Sequence, residues 1–228
     1  MSPAHGAPRV TSLRAGPKRG RQTILLADGR SFEFSDEACL RAGVRVGAIA
    51  DEAYLQQLEA DEQRAAAHES ALRLLSYRAR SEGEVRSRLR RQGLSEDIID
   101  AELDRLRTAG LVDDESFARM WVQERGQLAP RGERLLRNEL RTKGIAAEAI
   151  DAATELVDDH AAAISLARTR ARKLSGTTYE EFRNKVGALL QRKGFDYGTA
   201  AAAVREVWAE HSGDTEEAED LRGTGSSS

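Results

Sequence analysis

From about residue 69 to residue 208 the apolar positions recur at helical spacing, and glycines interrupt the pattern at regular places. Gly93, Gly110, Gly144 and Gly194 each follow an amphipathic run, where a helix ends on a left-handed residue. Three of these interruptions align without gaps. They are Leu89-Arg90-Arg91-Gln92-Gly93-Leu94, Leu140-Arg141-Thr142-Lys143-Gly144-Ile145 and Leu190-Gln191-Arg192-Lys193-Gly194-Phe195. Their glycines lie 51 and 50 positions apart. Val85, Leu136 and Val186 each stand four residues before the aligned leucine, on the same helix face.

Each glycine opens a further helix, marked by Ile98, Ile99, Leu103 and Leu106, then Ile150 and Leu156, then Val204 and Val207. A helix also precedes each pair, marked by Leu72 and Leu75, then Phe117, Met120 and Trp121, then Ile164 and Leu166. The unit is therefore helix A, helix B, glycine turn, helix C, and three apolar stripes of this kind can close on one another. Ser81 with Glu84, and Thr177 with Glu180, read as capping boxes, and Asp113 or Asp114 can cap the helix of Phe117 and Trp121.

Ahead of the repeats the period changes. Thr23–Leu26 and Ser31–Phe34 flank Asp28-Gly29, a hairpin signal because the turn requires positive φ. Val44-Arg45-Val46 offers a third strand. A hairpin is marginal alone and should pack on the glycine-free helix that starts near residue 51. The expected class is all-α: three tandem three-helix repeats in an elongated array, with a small N-terminal β-hairpin/helix element. The expected segments are a disordered basic tail over 1–20, the hairpin and start of a long helix over 21–66, repeats over 67–112, 113–159 and 160–210, and a disordered acidic, Gly/Ser-rich tail over 211–228.

Composition supports thin helical cores: 32% of the 228 residues are charged and only 5% are aromatic. The net charge of −3 says little about partners, but its distribution says more. The B helices are basic and the first two C helices acidic. Arg86/Arg90 and Arg137/Arg141 occupy matching positions four residues apart, so each pair projects from one face. The third repeat has Gly187 and Gln191 there and carries Arg168, Arg170, Arg172 and Lys173 on its A helix instead. With Lys143, these cations are the candidate contacts to a charged partner. The alternative is ordinary solvated faces with ion pairs inside each repeat.

Chemistry-bearing patterns are missing. His5, His68, His160 and His211 are scattered and share no metal-ligand spacing with carboxylates or with Cys39. There is no phosphate-binding glycine loop, nucleophile elbow or dinucleotide fingerprint. A non-enzyme without a cofactor is expected. The single cysteine, the lack of a run of about 20 apolar residues and the lack of an apolar leader fit a cytoplasmic protein.

The run Ala71-Leu72-Arg73-Leu74-Leu75-Ser76-Tyr77-Arg78-Ala79-Arg80-Ser81, with Glu84 and Leu89, resembles the opening motif of the RecX regulatory proteins. Asp113-Asp114-Glu115-Ser116-Phe117-Ala118-Arg119-Met120-Trp121-Val122, followed by Arg125, is similar to their second motif. Arg131-Gly132, Leu135, Glu139-Leu140 and Lys143-Gly144-Ile145 are similar to the third. The resemblance covers about residues 68–208. It implies a monomer that binds RecA–DNA filaments and restrains filament growth, ATP hydrolysis and strand exchange, within DNA recombination, repair and the SOS response. It implies no cofactor and no membrane. Direct binding to single-stranded or duplex DNA, and a purely structural scaffold, remain the alternatives.

Overall fold

The structure, a computed structural model, describes residues 7–174 and 176–223, with side-chain detail as far as Glu210. It divides into two units, residues 1–112 and 113–228.

The first unit opens with an antiparallel meander, β1 (Val10–Ala15), β2 (Arg21–Leu26) and β3 (Ser31–Ser35). The Asp28-Gly29 turn joins β2 to β3: Gly29 has φ 85° and the Asp28 carboxylate accepts the Arg30 N–H at 3.0 Å. The expected third strand is a different segment. Val44–Val46 forms no strand, and the place is taken by β1, from within the stretch expected to be a disordered tail. Val10 supplies the reason, since it is only 1% exposed beneath the sheet and gives the segment an apolar anchor.

The short helix α1 (Asp36–Arg41) and the first turns of α2 (Glu52–Leu75) cover one face of the sheet, which buries Ile24, Leu26, Phe34, Cys39, Leu55 and Leu58. Burial raises the pKa of the free Cys39 thiol. Glu62 fastens helix to sheet by accepting the Ser35 N–H at 2.7 Å and pairing with Arg21 at 2.9 Å.

The C-terminal half of α2 is helix A of the first repeat. Helices α3 (Glu82–Arg90) and α4 (Glu96–Thr108) complete it, around Ala67, Ala71, Val85, Leu89, Ile99, Leu103 and Leu106. The A helix turns alanines inward where Leu72 and Leu75 were expected to lead. Leu72 is exposed and Leu75 only partly buried. His68 Nδ1 lies 2.8 Å from the buried Glu102 carboxylate and ties α2 to α4. The Ser81–Glu84 capping box forms as expected.

In the second unit, α5 (Asp114–Leu128), α6 (Glu133–Thr142) and α7 (Ala147–Thr154) form the second repeat. Its small core holds Phe117, Ala118, Leu140, Ile145 and Ile150. Asp113 is the cap of α5, accepting the Ser116 N–H at 3.0 Å. Met120 is exposed, and α7 ends before Leu156, which is 94% exposed rather than core.

Helices α8 (Asp159–Ala171), α9 (Tyr179–Arg192) and α10 (Tyr197–Gly223) form the third repeat, with a larger core around Phe182, Val186, Leu190, Phe195 and Val204. The cap of α9 is Thr178, one residue beyond the expected Thr177. The backbone of α10 continues past the boundary expected at residue 210, through a Glu- and Ala-containing stretch that favours helix. Residues 1–6 and 224–228 of the two expected tails lie outside the described residues.

Repeats two and three meet backbone to backbone. The Gly132 N–H donates to the Lys193 carbonyl at 2.9 Å, and a Cβ on Gly132 would stand 2.6 Å from the Gly194 carbonyl carbon. The Glu133 N–H donates to Asp159 at 2.7 Å across the same seam. Gly132→Ala should therefore force the seam open, with a loss of about 1–3 kcal/mol in a denaturant melt. Gly126→Ala, on an open part of α5, should show no loss.

Candidate partner interface

The cations expected to form a basic ridge divide into paired and unpaired sets. In the first repeat, Arg90 grips Glu96 through two hydrogen bonds of 2.6 and 2.9 Å. Arg86 reaches Glu96 at 2.9 Å and Asp100 at 2.6 Å. Hydrogen bonds from Arg90 hold the Glu96 carboxyl below its ordinary pKa. In the second repeat, Arg137 pairs with Glu133 at 2.6 Å and with Asp151. In the third, Arg168 forms a two-pronged pair with Glu210 at 2.9 and 2.6 Å. Basic B helices facing acidic C helices are thus, at Arg86, Arg90 and Arg137, ion pairs within a repeat.

Lys143 has a different occupation. Its ammonium stands 4.2 Å from the Trp121 ring centroid and 5.6 Å from that of Phe117. Arg125 also stands 4.2 Å from the Trp121 ring. Glu139 draws the group together. It accepts the Trp121 indole N–H at 2.9 Å, lies 3.7 Å from Arg125 and pairs with Arg131. Burial lowers the pKa of Arg131. The motif residues Trp121, Arg125, Arg131, Glu139 and Lys143 therefore build one partly buried polar cluster that closes the small second core.

Arg141, Arg170, Arg172 and Lys173 make no ion pair or side-chain hydrogen bond among the described residues. Arg141, Arg172 and Lys173 are exposed and Arg170 is half-buried. The freedom of Arg141 follows from the repeat register. Arg86, Arg90, Glu96 and Asp100 of repeat one become Arg137, Arg141, Ala147 and Asp151 in repeat two. Alanine at 147 removes the carboxylate that would have held Arg141.

Arg134 and Asn138 on α6, Arg141, and Gln191 and Arg192 at the end of α9 line one cleft of about 350 Å³. Arg134 and Arg192 stand outside the set of cations that the sequence pattern singles out. The Glu96-to-Ala147 exchange is the signal that would have pointed to the cleft. Among the described residues no group of three His, Cys, Asp or Glu side chains is placed to hold a metal ion. No described helix is long and apolar enough to cross a membrane.

The geometry is that of a three-helix-repeat protein with paired and unpaired surface cations. Comparison with known proteins makes the class specific. The models of the first, second and third three-helix domains of RecX match residues 67–106, 113–153 and 158–204. A Regulatory protein RecX of Corynebacterium efficiens is 37% identical over 157 residues, which span 65% of this chain and 75% of that protein. A Regulatory protein RecX of a Geobacillus strain is 34% identical over 185 residues, 78% of this chain and 68% of that one. A crystal structure of a regulatory protein RecX superimposes with TM-score 0.66 at 25% identity, covering 84% of this chain and 96% of that one. RecX from Lactobacillus salivarius gives 0.56 at 26%, covering 64% and 96%. The chain belongs to the RecX family of regulatory proteins.

Proposed function

We propose that this chain binds RecA–DNA filaments and restrains the recombinase, lowering ATP hydrolysis and strand exchange without catalysis of its own. The observation that carries the reading is the in-order match of all three RecX three-helix domains across residues 67–204. Repetition suits a filament target: linked weak contacts to successive subunits gain avidity without any one being strong. A protein that binds one filament geometry better than another shifts the population of geometries, which needs no cofactor. On this reading it acts as a monomer in the cytoplasm, and Arg141, Arg170, Arg172 and Lys173 are better placed for the partner than the cations held in ion pairs.

The test is steady-state ATP hydrolysis by RecA on single-stranded DNA, with strand exchange measured in parallel. Increasing amounts of the purified chain should suppress both, and the chain alone should turn over no ATP. Undiminished hydrolysis and exchange at a molar excess of the chain over RecA would overturn the proposal.

A further inference from the structure

The N-terminal sheet has one edge that is only partly covered. Its order, β1-β2-β3, leaves β1 outermost on one side. The segment that follows α1 closes the start of that edge. The Val10 N–H donates to the Ala48 carbonyl at 2.9 Å, the Gly47 N–H to the Val10 carbonyl at 2.8 Å and the Ala50 N–H to the Pro8 carbonyl at 2.7 Å. Arg9 and Ile49 form an antiparallel bridge there. Beyond Val10 the cover stops, and among the described residues 12–15 pair with β2 alone. The Gly16 N–H donates to the Arg21 carbonyl at 2.8 Å. The alternation of an antiparallel ladder then turns the backbone groups of Leu13 and Ala15 away from β2. Residues 8–10 already have, on that outer side, the strand pairing that Leu13 and Ala15 lack.

Positive charge is concentrated at the same end. From Arg9 to Ala27 the sequence has five cations and no carboxylate. Arg9 donates to the Gly47 carbonyl at 2.8 Å, and Arg21 pairs with Glu62 at 2.9 Å. Arg14, Lys18 and Arg19 are exposed and make no ion pair or side-chain hydrogen bond among the described residues. With Arg21 and Asp36 they line a pocket of about 480 Å³ at the turn from β1 to β2. That turn is fastened to the start of α1, because the Gly20 carbonyl accepts the Asp36 N–H at 2.9 Å. The cations are therefore carried on an ordered frame, which lowers the cost of binding.

We infer that the open part of the β1 edge and the cationic turn beside it form a docking site for an extended acidic segment of a protein partner. The segment adds a strand to the sheet and sets its carboxylates against Arg14, Lys18 and Arg19. The edge offers backbone groups that another extended backbone matches in register, and alternate side chains carry the specificity. No aromatic ring lines the pocket, so a nucleic-acid base has nothing to stack on there. Exposed cations on an edge strand also bar self-pairing, because a second copy would bring like charge to like. An acidic strand meets the opposite condition at the same place. The site lies wholly ahead of residue 67, where the match to the RecX domains begins, so it is independent of the regulatory reading.

The experiment is fluorescence anisotropy of a labelled peptide alternating Glu and Thr, with the full-length chain and without RecA. Alternation puts every Glu on one face of a strand. The peptide should bind, and its counterpart with Lys in place of Glu should not. Replacing Arg14, Lys18 and Arg19 together by Glu should weaken binding by about tenfold or more. The circular dichroism spectrum should not change, since exposed charges contribute little to stability. Strand addition is read separately by amide hydrogen exchange on the parent chain, which needs no variant. Saturating peptide should slow exchange at Leu13 and Ala15 by about tenfold or more. Failure of the Glu-Thr peptide to bind at low salt would overturn the inference. So would binding that the triple charge reversal leaves unmoved, or that the Lys peptide shares. Binding that leaves the Leu13 and Ala15 amides exchanging at their free rate would reject strand addition. If oligo-dT binding then falls in the triple variant by the same factor as peptide binding, the turn is a phosphate site instead.

Discussion

Leu140→Ala should lower the thermal midpoint by roughly 5–15 °C, which corresponds to about 2–5 kcal/mol for a buried leucine truncated in a protein of this size. Leu89→Ala and Leu190→Ala should do the same. All three side chains are fully buried, and all three sit four residues before a left-handed glycine: Gly93, Gly144 and Gly194 have φ of 79°, 83° and 94°. Leu140 is the most exacting case. Its buried cluster holds Phe117, Ala118, Ile145 and Ile150, with Trp121, Val122, Ala149 and Ala153 partly buried against them, so few large side chains can move into the space it leaves. Leu190 stands in a larger buried cluster, which includes Ala163, Ala167, Phe182, Val186, Phe195, Ala200, Ala203, Val204 and Val207 and has more scope to relax. The control is Leu156→Ala. That side chain is 94% exposed and should melt within about 0.5 kcal/mol of the parent. Melts followed by circular dichroism decide the matter: if Leu140→Ala tracks Leu156→Ala, the three leucines are not equivalent core positions.

Leucine and glycine made the repeats legible, and smaller residues hid the rest. A large apolar residue four positions before another, followed by a helix-ending glycine, is a pattern few other arrangements produce. Helix A of repeat one was found but turned the wrong way, because Ala67 and Ala71 give a weak hydrophobic signal beside Leu72 and Leu75. The neighbours on α3 and α4 decide which face is buried, and those contacts are not local in sequence. Strand β1 was missed for a related reason. Val10 and Leu13 are too few to stand out in a stretch rich in glycine, proline and arginine, and only pairing with β2 settles the strand.

The charge pattern was visible, but its meaning depends on partners across a turn. Arg90 and Glu96 are six residues apart, and no helical face rule joins them. The glycine turn does so by folding α4 back on α3. Comparing the repeats with one another, rather than reading each helix alone, shows the partner lost at Ala147.

Glu139→Ala should destabilise the second unit by roughly 2–4 kcal/mol, more than a surface ion pair would. The Glu139 side chain is 16% exposed, and those of Arg125 and Arg131 are 24% and 22% exposed. Removing the carboxylate leaves two largely desolvated guanidinium groups and the Trp121 N–H without their acceptor. Arg125 and Lys143 both stand close to the Trp121 ring, so the uncompensated charge would act on α5, which brings Phe117 and Ala118 to this core. Glu139→Gln should lie between parent and alanine, because the amide oxygen can still accept from Trp121 while the charge is lost. Removing Arg131 together with Glu139 should restore part of the loss, giving a coupling of about 1 kcal/mol or more in a double-mutant cycle. Urea melts followed by tryptophan fluorescence would report on this directly, since Trp121 is one of only two tryptophans. If the alanine variant melts like the parent and the cycle shows no coupling, Glu139 is not a structural anchor of the second unit.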